Sequence, residues 1–419
     1  MEAVKWINYG IAATFIVCYL YQIVYIVVGC LKKPKKVSAT NNHRYAVLIA
    51  ARNEENVIAA LIQSIQRQDY PSELVDIYVI ADNCSDRTAE IAREAGAVVF
   101  ERHSKEKIGK GYALEALVRY VWASGQTYEG YFVFDADNLI DANYVREMNH
   151  HFDQGQRVIT GYRNSKNYAD NWISSGYSLW FLRESRFLNQ PRYSLQTSCA
   201  VSGTGFLVHH DILAKNGGWK HFLLTEDIEF TADLILNGEA ITYCSTAVLY
   251  DEQPTSFSQS WHQRLRWAKG YLQVFRRYGI RLFERLMSKK HFACLDMILT
   301  IMPAIVLTIV GVTVNVAGGI YALVTADTVM VLVGSMLQML LNTYGFLFLI
   351  GVVTSIAEWR SIRAPASRKI ASVFTFPIFM MTYIPISLCA LFANVTWQPI
   401  IHSKTIRIHE IEKESTAVA

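Results

Sequence analysis

Two aspartates, Asp135 and Asp137 of the stretch DADN, directly follow the apolar run YFVF. At the end of an extended strand, residues two apart point to one side. Two carboxylates so placed can share one divalent cation with a substrate diphosphate. Asp82, in ADNCSD, closes another apolar run and can accept a hydrogen bond from a base N–H or a ribose hydroxyl; Asp86, further on, suits a helix cap. Lys107 and Lys110 sit in a glycine-bearing stretch, KIGKGYAL, as mobile cations near a diphosphate or as a solvated charge run. Glu226 and Asp227 of LLTEDIEF read two ways. One is a general base aimed at a hydroxyl. The other is an ordinary helix start, with Thr225 as cap and acids in the first turn.

The run WHQRLRWAKGY (261–271) mixes cations with two tryptophans. Wound as a helix at about 100° per residue, it places Leu265, Ala268, Leu272 and Phe275 within about 40° of Trp261. That stripe suits a membrane surface or a domain seam. Gln263, Arg266 and Trp267 fall on the opposite side, with Gly270 among them leaving room for a ligand. There Trp267 can stack on a sugar ring while Gln263 and Arg266 reach a phosphate.

These groups need a scaffold, and the chain from 41 to 255 supplies one. RYAVLIAA, LVDIYVIAD, AVVFER and YFVFDAD read as strands, with helical periodicity between them. Alternating strands and helices predict a mainly parallel sheet covered on both faces. Ligands of such sheets bind beyond the carboxyl ends of the strands. Asn53 with Glu54, Asp82, and Asp135 with Asp137 all fall at that edge.

Around this domain the sequence is apolar. Of the 419 residues, 52% are hydrophobic and 18% charged, which predicts a mixed membrane and globular architecture. Residues 7–31 carry no charge and precede Lys32, Lys33, Lys35 and Lys36. A cleavable signal would have its positive charges in front. The reversed order predicts an N-terminal span (1–36) with its amino end outside and residue 32 onward in the cytoplasm. Further apolar stretches lie near 297–324, 329–357 and 370–396. The basic loop EWRSIRAPASRK between the last two reads as cytoplasmic. With Pro377 and Pro385, the last stretch either spans or folds back as a re-entrant piece, so the side on which the tail (399–419) lies stays open. Residues 256–292 read as interfacial helix and 293–398 as the C-terminal membrane region. Seven scattered cysteines with no CxxC indicate neither zinc nor a disulfide framework. No GxGxxG or P-loop is present, and a net charge of +4 does not suggest a nucleic-acid partner.

Taken in order, Asp82, DADN, TED and QRLRW ahead of membrane helices resemble the D, DxD, TED, Q(Q/R)xRW signature of membrane-embedded family 2 glycosyltransferases. Cellulose, chitin, hyaluronan and poly-N-acetylglucosamine synthases belong there. The resemblance covers roughly residues 45 to 275. It implies a GT-A-type, mostly parallel α/β fold and inverting transfer from a nucleotide sugar, with Mg²⁺ or Mn²⁺ on Asp135 and Asp137. It implies Asp227, beside Glu226, as catalytic base. Asn53, Glu54, Asp82, Lys110, Asp135, Gln263, Arg264 and Arg266 would bind the donor, and Trp267, Gly203 and Thr204 the acceptor. Arg52 stands where the family has tyrosine. A polysaccharide synthase at the cell membrane, using UDP-glucose and passing a β-glycan through its helices, is the favoured reading. A poly-N-acetylglucosamine synthase and an enzyme adding one sugar to a membrane lipid are the alternatives. A transporter or scaffold would require every motif to be accidental.

Overall fold

The apolar run Tyr45–Ala51 forms strand β1 at the centre of the sheet, where both of its faces are covered. A strand buried on both sides has no polar face, so it reads as a continuous hydrophobic run rather than an alternating one. β2 (Val75–Asp82) and β4 (Gly130–Asp135) flank it, and β3 (Val98–Arg102) lies beyond β2; all four run parallel. The computed structural model describes residues 2–32, 37–289, 291–325, 329–400, and 402, 404, 406, 408 and 410. The predicted basic flank Lys33, Lys35 and Lys36 and the tail from 411 lie outside these residues.

The other half of the sheet is mixed. β5 (Leu139–Ile140), β6 (Val158–Ser165), β7 (Phe206–His209) and β8 (Ile241–Asp251) complete the order β3-β2-β1-β4-β7-β6-β8-β5. β7 runs antiparallel to both β4 and β6, β5 is antiparallel to β8, and β6 and β8 are parallel. Helices 58–66 and 144–153 pack on one face, and helices 110–123 and 226–237 contribute to the core on the other.

Among the described residues, four stretches are long and apolar enough to cross a bilayer: Glu2–Leu31, Ala304–Ala322, Val333–Ala357 and Ala366–Phe392. The first three pack together; Asn8 donates to Asn315 Oδ1 (3.0 Å) and Ser335 Oγ (2.8 Å). The fourth is broken at Thr382 between helices Ala366–Met381 and Tyr383–Phe392. Both of its ends meet the α/β domain. Ahead of it, Arg363 donates to Tyr250 Oη (2.7 Å); after it, His402 bonds Glu54 (2.9 Å) and Lys404 pairs with Asp170 (3.0 Å). The chain on either side of this segment thus rests on the same α/β domain.

Helix Phe257–Lys289 bridges the two regions. Its stripe of Trp261, Leu265, Ala268 and Leu272 packs on Tyr383, Ile386 and Ala390, so helix Tyr383–Phe392 covers it as a domain seam. Cations of the same helix satisfy carbonyls that a helix end leaves unpaired. Arg264 donates to Phe379 O (3.0 Å) and Thr382 Oγ1 (2.6 Å), and Lys269 donates to Ala390 O (3.0 Å).

Candidate functional site

A cavity of about 1130 Å³ opens beyond the carboxyl ends of β1, β2 and β4 and continues between the membrane helices. Glu54, Asp82, Lys110, Asp135, Asp137 and Gly203 wall its sheet side. Glu226, Asp227, Gln263, Arg266 and Trp267 face them.

Three predicted residues stand elsewhere, and each has a physical reason. Asn53 is held in the left-handed region (φ 58°), and its side-chain oxygen accepts from Ser85 N (2.8 Å), tying two loops together. Thr204 is buried; its hydroxyl accepts from Asp135 N (2.8 Å) and bonds Asn138, so it positions the aspartate loop. Arg264 is fully buried in the seam described above, over the Phe379 ring (4.3 Å), and does not wall the cavity. Gly270 leaves no room for a ligand either: a Cβ there would lie 2.5 Å from Thr225 Oγ1. Its missing side chain lets helix 257–289 approach the start of helix 226–237.

Asp135 and Asp137 both reach the cavity, but not through strand alternation. β4 ends at Asp135, and a turn closed by Asn138 N to Asp135 O (3.1 Å) redirects the chain. Asp135 Oδ1 accepts from Lys110 Nζ (2.5 Å), which also donates to Gly203 O (2.7 Å). Asp137 Oδ2 accepts from Glu252 N (2.8 Å). Among the described residues no three His, Cys, Asp or Glu side chains converge on one point. Two oxygen donors on a cavity wall still fit a hard divalent ion that takes its remaining ligands from a diphosphate.

Gly203 adopts φ 86°, and a Cβ on it would stand 3.7 Å from Asp227 Oδ2 and 4.0 Å from Asp135 Oδ2. Its bare backbone thus lies beside both carboxylates. Glu226 and Asp227 open helix 226–237; Thr225 makes no side-chain cap bond, so the simple capping explanation of TED does not hold. Burial, then the Asp227 charge, pushes Glu226 up to about 7 against Lys110 and Arg266. Burial also raises Asp227, opposed by the Ile228 backbone, Lys110 and Arg266. Burial disfavours the Lys110 charge, yet Asp135 and Glu226 more than offset it and raise its pKa. Arg266 donates to Leu224 O (2.8 Å), and Gln263 Oε1 is buried without a hydrogen-bond partner. An orphaned acceptor on a cavity wall costs stability unless a ligand donor meets it. Trp267 stands edge-on to Tyr177 (5.7 Å) and Phe181 (6.2 Å).

Arg163, Asp251, Glu252, Trp397 and His402 also wall the cavity, and Arg102 braces it from behind Asp82. Asp82 is register partner to Arg102, whose Nη1 lies 2.5 Å from Asp82 Oδ1. Burial nonetheless leaves Asp82 raised. Arg163 pairs with Asp251 (2.7 Å) and donates to Ser202 O (2.7 Å). Asp251 and Glu252 close β8 at the same sheet edge, so the rule that exposed Asp82 could have found them. Arg52 lies over Trp397 (5.1 Å), which joins the wall with His402. Burial opposes a charge on His402, but Asp137, Glu54 and Glu252 push it up to about 10.

A family model described as glycosyltransferase like family 2 matches residues 43–270. A beta-monoglucosyldiacylglycerol synthase of Trichormus variabilis is 28% identical over 268 residues, 61% of this chain and 55% of that protein. A poly-beta-1,6-N-acetyl-D-glucosamine synthase of Staphylococcus aureus is 24% identical over 267 residues, 62% of each. The chain thus spans less than two thirds of either relative's length. Among solved structures, a mannosyltransferase from Pyrobaculum calidifontis in complex with GDP-Man and Mn²⁺ shares the fold. Its TM-score is 0.60 at 14% identity, covering 93% of this chain and 99% of that one.

Proposed function

The chain belongs to the glycosyltransferase-like family 2, and from that premise we propose that it moves one sugar from a nucleoside-diphosphate donor to the hydroxyl of a membrane lipid. The observation that carries this reading is the cavity's far end. Ile16, Leu20 and Ile23 of the first membrane helix wall it and are 62%, 54% and 54% exposed. Bared apolar side chains of a membrane helix on the cavity wall suit a lipid acceptor that reaches the site without leaving the membrane. The relative of T. variabilis, named for a glucosylated diacylglycerol, is consistent with it.

In this scheme Asp82, held by Arg102, meets the donor's base or ribose. Lys110 and Arg266 face the diphosphate, and Gln263 Oε1 accepts a hydrogen bond from a hydroxyl of the donor. A divalent cation, Mg²⁺ or Mn²⁺, held by Asp135 and Asp137, would neutralise the diphosphate when bound. Asp227 removes the acceptor proton, and the freed oxygen attacks the anomeric carbon opposite the leaving group, inverting its configuration. Trp267 stacks on the reacting sugar. The donor we favour is UDP-glucose. The α/β domain faces the cytoplasm of the cell membrane, as the basic residues after the first span imply.

A polymerising reading keeps one observation of its own: Asn8, Ser335, Gln338 and Asn342 place polar groups on the wall between the helices. A glycan crossing the bilayer would use them. Purified protein in nanodiscs containing diacylglycerol should convert labelled UDP-glucose into solvent-extractable monoglycosyl lipid. Long, water-soluble product instead would establish the synthase reading and sink the lipid one.

A further inference from the structure

A second cavity, of about 860 Å³, lies on another part of the molecule and shares no wall residue with the first. Its floor belongs to the α/β domain and its roof to the loop after helix 329–357. Four cations line it: Arg186, Arg360, Arg363 and Lys369. The one carboxylate among its lining residues, Glu358, already accepts from Tyr162 Oη (2.6 Å) and stands 3.6 Å from Arg186 Nε. That Nε is buried and makes no hydrogen bond. Arg363 is oriented by Tyr250, donating to its hydroxyl (2.7 Å) with its guanidinium over the ring (4.4 Å). Arg360 is exposed.

The rim shows where this pocket sits. Ile356, the penultimate residue of the span, is 70% exposed, Trp359 is 40% and Ile370 is 55%. Apolar side chains bared at the end of a span, with a tryptophan among them, mark the bilayer boundary. Cations held just inside such a rim favour a headgroup anion, and guanidinium forks suit phosphate geometry.

We propose that this pocket is a binding site for the phosphate of an anionic phospholipid, separate from the donor and acceptor sites. The phosphate lies against Arg360, Arg363 and Arg186, whose Nε–H makes no hydrogen bond. The acyl chains run down past Ile356 and Ile370. Lys369 is spoken for: its Nζ donates to Trp359 O (2.6 Å) and stabilises the roof.

The test is native mass spectrometry of the full chain released from nanodiscs of phosphatidylcholine and phosphatidylglycerol. Wild type should retain phosphatidylglycerol in preference to phosphatidylcholine. Arg360→Gln and Arg186→Gln should each weaken retention about tenfold. Arg360 is exposed, so its variant folds normally; Arg368→Gln, an exposed cation in the first turn of the following helix and outside the pocket, should retain lipid as wild type does. Equal loss in Arg368→Gln would reduce the effect to general surface charge and overturn the site. Retention unchanged in both pocket variants would overturn it as well. Millimolar inorganic phosphate is the remaining arm. If it raises the melting temperature of wild type but not Arg360→Gln, while phosphatidylglycerol shows no preference, the ligand is soluble phosphate and the lipid assignment is wrong. None of these readouts depends on glycosyl transfer.

Discussion

His402 meets Glu54 at 2.9 Å across 348 residues of sequence. The contact ties the chain after the last apolar segment to the loop following β1, with Trp397 already seated under Arg52 (5.1 Å). Trp397 and His402 both wall the cavity, so this strap forms part of the site's boundary.

Removing the imidazole tests that boundary. His402→Ala leaves Glu54 without its partner and beside the Asp137 carboxylate, which His402 helps to hold below the usual range. The donor KM should rise about tenfold, or ~1.4 kcal/mol. Hydrogen exchange should quicken after Phe392 and stay slow in helix 257–289. Unchanged KM and exchange would mean that the pair is incidental.

Glu226 and Asp227 predict opposite trends for activity and stability. Glu226 is pushed up to about 7 by burial and by its neighbour. The base, Asp227, is also raised by burial and must be ionised, so kcat/KM should climb with pH along an acid limb. Stability runs the other way. The folded state holds the Glu226 proton more tightly than the unfolded chain does. That contribution is complete below the unfolded value, about 4.3, and is lost as pH rises through about 7. Glu226→Gln removes a negative charge beside Asp227 and should move the acid limb of the rate profile to lower pH. Asp227→Asn should cut kcat by about 10² or more while donor binding persists. A limb that stays put in Glu226→Gln would break the link between the two acids.

Why some of this was legible is physical. β1, β2 and β4 are largely buried, so their apolar runs stop abruptly at the polar edge, and Asp82, Asp135 and Asp137 announce themselves. β5 spans two residues and β7 four, too short for a periodic signal. The pleat argument for Asp135 and Asp137 failed because the strand ends at the first of them. The helical wheel separated Gln263, Arg266 and Trp267 from the apolar stripe correctly. It could not show that a helix more than a hundred residues later, rather than lipid, covers that stripe. Arg102 and His402 act through partners remote in sequence, and nothing local marks them.

Arg264 and Arg266 stand two residues apart in QRLRW, and the motif assigns both to the donor. Their surroundings separate them. Arg264 bonds Phe379 O and Thr382 Oγ1 inside a buried seam, where hydrogen bonds from a charged group are worth about 1.5–3 kcal/mol each. Arg264→Ala should therefore lower the melting temperature sharply and leave the donor KM of the surviving folded protein near wild type. Arg264→Lys should rescue little, since one ammonium cannot reproduce the planar fork. Arg266 lies on the cavity wall and helps hold Asp227 down. Arg266→Ala should keep its melting temperature, lose about 10² in kcat/KM and shift the acid limb to higher pH. A stable Arg264→Ala protein with weakened donor binding would return Arg264 to the active site and remove it from the seam.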